Sequence, residues 1–290
     1  MMPDLKPIPS WGNQTYIMGI LNITPDSFSG DGLMTTEDIV KSAVKQGKEF
    51  FEAGAQILDI GGESTRPGAA LVSSEEEIER VIPVITALKE GLPEVIISVD
   101  TYKAKVAQQA LKVGADWVND VWGLRADPEM AAVAASFGAP VILMHNRSKP
   151  AQAELQEQLG GRYIGVEYVD LLSDVKHELM ESVQLAYKAG IPDEKIILDP
   201  GIGFGKTVEQ NLELLNRIDE ICALGFPVLL GPSRKSFIGY TLDLPADQRV
   251  EGTAAAISVG ITRGVDIVRV HDVRIMARVA RMTDAIVRKK

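Results

Sequence analysis

The fold is decided by the stretch Ile57-Leu-Asp-Ile-Gly-Gly-Glu-Ser-Thr-Arg-Pro-Gly68, in which a short apolar run leads directly into polar and glycine-rich residues. Near-continuous apolar runs of this length are typical of parallel β-strands that are covered on both faces. The same pattern recurs along the chain. The predicted strands are residues 16–21, 57–60, 95–99, 117–119, 141–144, 196–198, 228–230 and 267–270.

Segments with helical periodicity follow most of these strands, and a glycine lies just past the end of several of them. The predicted helices are residues 36–52, 74–89, 103–113, 128–136, 168–189, 207–224, 250–263 and 273–288. The polar segment 152–162 is predicted to be an inserted loop. Eight strand–helix units predict an α/β fold of the (β/α)₈ TIM-barrel type, with a doubly wound open sheet as the alternative.

Length alone does not decide between one large domain and two small ones, but the composition and the lack of a linker favour one globular domain. The chain has 290 residues and is 46% hydrophobic, which is enough to bury a full core. It contains no linker rich in Pro, Gly or Ser, so we expect one domain over residues 1–290, with residues 1–14 as an N-terminal extension.

The broken apolar stretches and the net charge of -10 without a basic run argue against membrane and nucleic-acid partners. Cys222 is the only cysteine, which fits a reducing, cytoplasmic setting, and it is expected in the core.

Polar residues cluster directly after the predicted strands, and in a barrel these positions all open on the C-terminal mouth. A hydrogen-bonding or charged group at nearly every strand end is hard to explain by packing alone. These positions therefore predict an active site. The residues are Asn22, Asp100, Asn119, Asp120, Met144, His145, Asp199, the segment Gly231-Pro-Ser-Arg-Lys-Ser236, Arg269 and His271.

Single residues also have simpler structural interpretations. Asp59 and Asp120 can cap helices or brace loops, and His177, Lys206 and Arg234 can be surface residues. The run Gly201-Ile-Gly-Phe-Gly-Lys-Thr207 fits neither the phosphate-loop pattern nor the dinucleotide fingerprint. It is interpreted as a flexible loop that lets its backbone and Phe204 approach a flat ligand.

Six motifs occur in one order along nearly the whole chain. They are Met18-Gly-Ile-Leu-Asn-Ile-Thr-Pro-Asp-Ser-Phe-Ser29, Leu58-Asp-Ile-Gly-Gly-Glu-Ser-Thr-Arg-Pro-Gly68, Ser98-Val-Asp-Thr101, Leu198-Asp-Pro-Gly201, Gly231-Pro-Ser-Arg-Lys-Ser236 and Arg269-Val-His-Asp272. Together they resemble the motifs of the dihydropteroate synthases, a family of pterin-binding enzymes. One departure is the first loop, where Asp31 is displaced from the family's usual position, so Asp31 is assigned no role.

The resemblance implies a reaction. A 6-hydroxymethyl-7,8-dihydropterin diphosphate reacts with p-aminobenzoate to give 7,8-dihydropteroate and pyrophosphate, usually with Mg²⁺ and in a homodimer. The resemblance also implies a slot for p-aminobenzoate under two loops. That slot is lined by Phe28, Thr65, Arg66, Pro67 and Phe204, with Ser236 at the carboxylate.

Physical chemistry assigns the remaining positions within this expected site. A carboxylate accepts from the ring N–H and the exocyclic amine of a pterin together, so Asp199 is the predicted anchor, and Asn119 completes the pattern. Asp100 and Lys235 are expected to meet the other ring atoms. Met144 is expected to pack against a ring face.

The diphosphate requires cations and hydrogen-bond donors. Arg269 offers a planar fork, and His271 lies two residues later on the same face of the strand. Thr65 is expected beside them, and Asn22 is the predicted Mg²⁺ ligand. The implied mechanism is dissociative: pyrophosphate leaves first, Asp100 stabilises the resulting cation, and the amine then attacks. The predicted catalytic residues are Asp100, Lys235, Arg269 and His271.

Three other functions remain as alternatives. Lys235 could form a Schiff base, as in an aldolase. The chain could also be a pterin-binding methyltransferase domain, or a catalytically silent pterin-binding barrel. The last two do not require Arg269 and His271 together, and both residues are present here.

Overall fold

The computed structural model describes residues 5–24, 35–64, 69–156 and 158–288. Strands and helices alternate along the chain, as the sequence predicts. The strands are β1 Tyr16–Asn22, β2 Ile57–Gly61, β3 Ile96–Asp100, β4 Trp117–Asp120, β5 Val141–Met144, β6 Ala153–Gln156, β7 Gly160–Tyr163, β8 Ile196–Asp199, β9 Leu229–Leu230 and β10 Ile267–Val270. The helices are α1 Thr36–Glu52, α2 Ser74–Gly91, α3 Ala104–Lys112, α4 Met130–Phe137, α5 Leu171–Lys188, α6 Val208–Asn216, α7 Asp219–Cys222, α8 Ser236–Leu242, α9 Val250–Thr262 and α10 Val273–Val287.

Eight parallel strands form one sheet that closes on itself. Their order is β8-β5-β4-β3-β2-β1-β10-β9. A parallel bridge between Leu198 and Val228 joins the two outer strands, and the Leu198 amide donates to the Pro227 carbonyl oxygen at 2.9 Å. The barrel prediction is therefore confirmed, and the alternative of an open doubly wound sheet is wrong.

A layer of apolar side chains fills the N-terminal half of the barrel interior. Trp11 and Tyr16 pack against this layer from below, and the Trp11 and Trp117 ring centres lie 6.4 Å apart. Because side chains alternate along a strand, the residues two positions after this layer also point inward, toward the mouth. The layer takes one residue from each strand of the barrel: Met18, Ile57, Ile96, Trp117, Ile142, Ile197, Leu229 and Ile267.

The helices surround the barrel, and polar caps set where several of them begin. Thr35 and Asp38 form a capping box at α1, and Thr207 and Gln210 form one at α6. Ser73 accepts from the Glu76 amide at the start of α2. Within the described ranges, no helix is long and apolar enough to cross a membrane.

The structure departs from the sequence-based prediction in three places. The predicted loop 152–162 contains the antiparallel hairpin β6–β7, which is held by the side chain of Arg249 through the Leu159 carbonyl oxygen at 3.0 Å. The predicted helix 207–224 is in fact two helices, α6 and α7. The sequence predicts a single helix because its apolar periodicity continues across the break. Helix α8 was not predicted, since it follows directly on the polar residues of a strand end.

Candidate active site

The strand-end residues form a ring at the mouth because the strand register places them at one level. Gly61 is paired with Asp100, and Asp100 with Asn119. On the opposite side Met144 is paired with Asp199. All of them follow the apolar layer by an even number of residues and so point into the barrel.

Arg269 lies at the centre of this ring, between two carboxylates. Its Nε donates to Asp59 Oδ2 and its Nη2 to Asp100 Oδ2, both at 2.6 Å. Asn119 Nδ2 donates to the same oxygen of Asp59 at 2.9 Å. Burial alone would lower the pKa of Arg269, but the two carboxylates raise this pKa by a larger amount. The net shift is upward, so the guanidinium stays charged.

Asp100 is a carboxylate with a strongly perturbed proton affinity. Burial raises its pKa to about 7; Arg269 opposes the rise and the neighbouring Asp59 adds to it. The ionised form of Asp100 is thus available near neutral pH but poorly compensated.

Asp199 and Lys235 lie on the other side of the mouth, joined by one loop. The Gly201 amide donates to Asp199 Oδ1 at 2.7 Å, and the Lys235 ammonium donates to the Ile202 carbonyl oxygen. Lys235 Nζ also lies 4.5 Å from the centre of the Phe204 ring. Burial raises the pKa of Asp199 and lowers that of Lys235 to about 8, and attraction between the two charges opposes both shifts.

His271 is oriented by Ser233, which lies in the predicted segment 231–236 but was given no role of its own. Its Nδ1 lies 3.0 Å from Ser233 Oγ, and its backbone amide donates to the same oxygen at 3.1 Å. Arg234 follows with a left-handed φ of 56°, and its Nε donates to Asp272 at 2.8 Å. The predicted surface charge Arg234 is therefore an anchored turn residue beside the site.

The structure brings together Asp100, Asn119, Asp199, Lys235, Arg269 and Phe204 from the predicted set. Met144 is 3% exposed and pairs with Asp199, while Asn22 ends β1 and Ser236 begins α8. The other predicted lining residues lie outside the described residues. They are Phe28, Thr65, Arg66 and Pro67, together with the unassigned Asp31.

Two simpler interpretations are corrected here. Asp59 is not a cap or brace but an inward carboxylate on Arg269, and its position two residues after inward-facing Ile57 was the available signal. Lys206 is not a surface charge, since it is only 2% exposed.

Three other simple interpretations hold. Asp120 braces a turn through the Trp122 and Leu124 amides, at 2.8 Å each. His177 has a 76% exposed side chain. Burial raises the pKa of half-buried Cys222 to about 12, which is unsuited to a nucleophile.

The arrangement combines a polar edge for a flat ligand with cations for an anion. Three carboxylates, Asp59, Asp100 and Asp199, surround the cations Arg269 and Lys235. Among the described residues no group of three or more His, Cys, Asp or Glu side chains could hold a metal ion. A Mg²⁺ ion at Asn22 would therefore depend on oxygen atoms of the substrate and on water, which is a usual mode for this ion.

Comparison with known proteins agrees with this geometry. Residues 18–271 match the family described as pterin binding enzyme. A dihydropteroate synthase of Clostridium beijerinckii is 51% identical over 279 residues, covering 96% of both chains. The crystal structure of a Clostridium difficile dihydropteroate synthase, obtained in the presence of pteroic acid, superposes with a TM-score of 0.88 at 49% identity, covering 97% of this chain and 100% of that one.

A more distant structure has the same architecture. It is a Xanthomonas albilineans dihydropteroate synthase in complex with 7,8-dihydropteroate, with a TM-score of 0.82 and 37% identity, covering 95% of this chain and 94% of that one. Both the sequence identity and the coverage extend over the whole barrel. The chain thus belongs to the dihydropteroate synthases of the pterin binding enzyme family.

Proposed function

We propose that the protein condenses 6-hydroxymethyl-7,8-dihydropterin diphosphate with p-aminobenzoate to form 7,8-dihydropteroate and pyrophosphate. The observation that carries the proposal is the barrel mouth itself, where buried carboxylates and cations meet at one level. Relatives of about half identity are dihydropteroate synthases, and a solved relative holds 7,8-dihydropteroate.

The pterin ring is recognised by Asp199 and Asn119. The Gly201 amide orients the Asp199 carboxylate, whose oxygens retain lone pairs for the ring N–H and the exocyclic amine. Asn119 is only 4% exposed and is held through its Nδ2 by Asp59, which leaves its oxygen to accept from the ring. Lys235 donates from the opposite edge, and Met144 packs beneath the ring.

The diphosphate is bound by Arg269 and His271. Arg269 uses Nε and Nη2 on the two carboxylates, and its Nη1 is the group that would donate to phosphate oxygens. His271 adds a donor. Asn22 would hold a Mg²⁺ ion through its side-chain oxygen, and the ion would supply positive charge beside the leaving group.

The reaction proceeds through loss of pyrophosphate before the amine attacks. The methylene carbon that remains is conjugated with the dihydropterin, so its positive charge spreads into the ring. The Asp100 carboxylate, whose side chain is only 13% exposed, stabilises that charge electrostatically. The amine of p-aminobenzoate then attacks the carbon, with its ring near Phe204 and its carboxylate near the Ser236 hydroxyl.

The test of this function is a pyrophosphate-release assay. We expect stoichiometric pyrophosphate and 7,8-dihydropteroate only when both substrates are present, because the amine is needed to capture the cation productively. Mass spectrometry of the product is the second readout. Tight pterin binding without turnover would instead identify a silent pterin-binding barrel.

The pterin anchor is tested by Asp199→Asn. The amide places a donor opposite the donors of the ring, which leaves buried groups unpaired at a cost of about 1–3 kcal/mol each. Calorimetry should therefore show weaker pterin binding. Asp193→Asn, the same change at an exposed position, should bind as the wild type does. Equal affinity of all three proteins would remove Asp199 from the anchor role.

The leaving-group site is tested by Arg269→Ala. Loss of the fork should cost about 2–4 kcal/mol in the transition state, or roughly 30- to 1,000-fold in turnover. Affinity for the diphosphate should fall more than affinity for bare hydroxymethyl pterin. Lysine should restore only part of the turnover, because it keeps the charge and loses the fork.

The matched control for this change is Arg263→Ala, which removes an arginine that pairs with Asp219 on the outer surface. It should leave turnover unchanged. Equal losses of affinity for the diphosphate and the bare pterin in Arg269→Ala would place Arg269 at the ring instead.

A second copy of this chain is the proposed protein partner. An apolar strip on α9 and α10 is exposed, including Ile275, Met282 and Ile286 at 45%, 64% and 61%. Met282→Glu should shift the wild-type dimer to monomer in sedimentation, because it buries a charge in the interface. Leu155→Glu, at a 63% exposed position on the hairpin, should not. A wild type that sediments as a monomer would contradict the dimer.

A further inference from the structure

A fully buried lysine lies directly behind the mouth. Lys206 Nζ donates to the carbonyl oxygens of Gly201 at 2.9 Å and Phe204 at 3.1 Å, and lies 2.9 Å from His145 Nδ1. These three acceptors match the three hydrogens of an ammonium group. Burial lowers the pKa of Lys206 well below its ordinary value, and the Asp199 carboxylate opposes this shift.

The His145 ring connects this lysine to charges on α5. Its Nε2 lies 3.1 Å from Glu178 Oε2. The other carboxylate oxygen of Glu178, Oε1, accepts a hydrogen bond from Arg147 Nε at 2.6 Å. A hydrogen on Nε2 avoids placing a ring lone pair against a carboxylate. His145 Nδ1 is then an acceptor, and Lys206 is its donor. Burial lowers the pKa of His145 to about 3, so the ring is neutral.

The loop held by Lys206 carries contacts to both proposed substrate subsites. Its first residue, Gly201, donates to Asp199 Oδ1, and Ile202 accepts from Lys235. Phe204, whose carbonyl oxygen Lys206 binds, presents its ring to the Lys235 ammonium at 4.5 Å. The pterin anchor and the predicted wall of the p-aminobenzoate slot thus depend on one loop conformation.

The loop packs against the chain after β5 without spare room. A Cβ atom at Gly201, where φ is 68°, would overlap the carbonyl oxygen of His145. A Cβ atom at Gly205, where φ is 58°, would overlap the backbone of Arg147. The two glycines therefore allow the loop to contact the segment after β5 directly. Lys206 adds a second connection, from the loop's own carbonyl oxygens to the His145 side chain of that segment.

We propose that Lys206 is a positioning residue that holds residues 201–206 as the common wall of the pterin and p-aminobenzoate subsites. The proposal rests on the function proposed above. A buried amine is costly unless all its hydrogens are bound, so its presence behind the site is explained by the loop geometry that it enforces.

The test is Lys206→Met, which keeps the length of the side chain and removes the amine. Lys176→Met is the matched control, since the Lys176 ammonium also has a bound partner, Glu220 at 2.8 Å, but lies on the outer face. Pterin affinity by calorimetry, the KM for p-aminobenzoate, kcat and Tm are measured for each. We expect Lys206→Met to weaken pterin binding and raise this KM by about tenfold each, and the control to change neither. A lower Tm with wild-type values of both constants would overturn the positioning role.

A second pair of variants decides the matter if Lys206→Met does not fold. His145→Asn keeps an acceptor near the Nδ1 position, and His145→Leu removes it. We expect His145→Asn to stay near wild type and His145→Leu to reproduce the rise in both constants; equal constants for the two variants would overturn the role. A wild type that makes no dihydropteroate would contradict the proposed function, whereas an active wild type with unchanged variants contradicts the positioning role alone.

Discussion

Side chains of a β-strand alternate between its two faces, and in this barrel that constraint decides the composition of the mouth. The apolar layer takes one residue from each of the eight strands and closes the interior from below. Two residues further on, the inward positions include Asp59, Asn119, Asp199 and Arg269. A shift of one residue in any strand would turn its polar group into the helix layer and an apolar one into the site.

The constraint also explains how much could be predicted from the sequence. Short apolar runs are strong indicators of buried parallel strands, so the sequence predicted all eight barrel strands and the polar residues at their ends. The inward orientation of Asp59 could have been predicted, because Asp59 follows the inward-facing Ile57 by two residues. A single aspartate at a strand end is, however, equally common as a residue that braces a loop. The hairpin β6–β7 could not be predicted from local sequence, because it is held by a hydrogen bond from Arg249, which is distant in sequence. Lys206 was misjudged because composition cannot show that three acceptors converge on a lysine.

The mouth contains two buried cations although the chain as a whole has a negative net charge. The protein carries a net charge of -10, yet Arg269 and Lys235 are gathered where an anionic substrate would bind. They are kept there by carboxylates that outnumber them, and burial strengthens each attraction. The consequence is a site that is charged but nearly neutral overall. Such a site can accept a diphosphate without a large excess of fixed positive charge that would hold the released pyrophosphate.

The contact of Arg269 with Asp100 links the two halves of the proposed reaction. One guanidinium pairs with both Asp59 and Asp100, so its single positive charge is shared between two carboxylates. In the proposed reaction, negative charge grows on the oxygens of the departing pyrophosphate, and Arg269 is attracted to them as well as to its carboxylates. Asp100 then loses part of its compensation while positive charge is forming in the pterin ring. Burial raises the pKa of Asp100 to about 7, and the same poorly solvated surroundings strengthen the attraction between its ionised form and that new cation. We therefore propose that bond breaking and cation stabilisation are coupled through the Arg269 side chain.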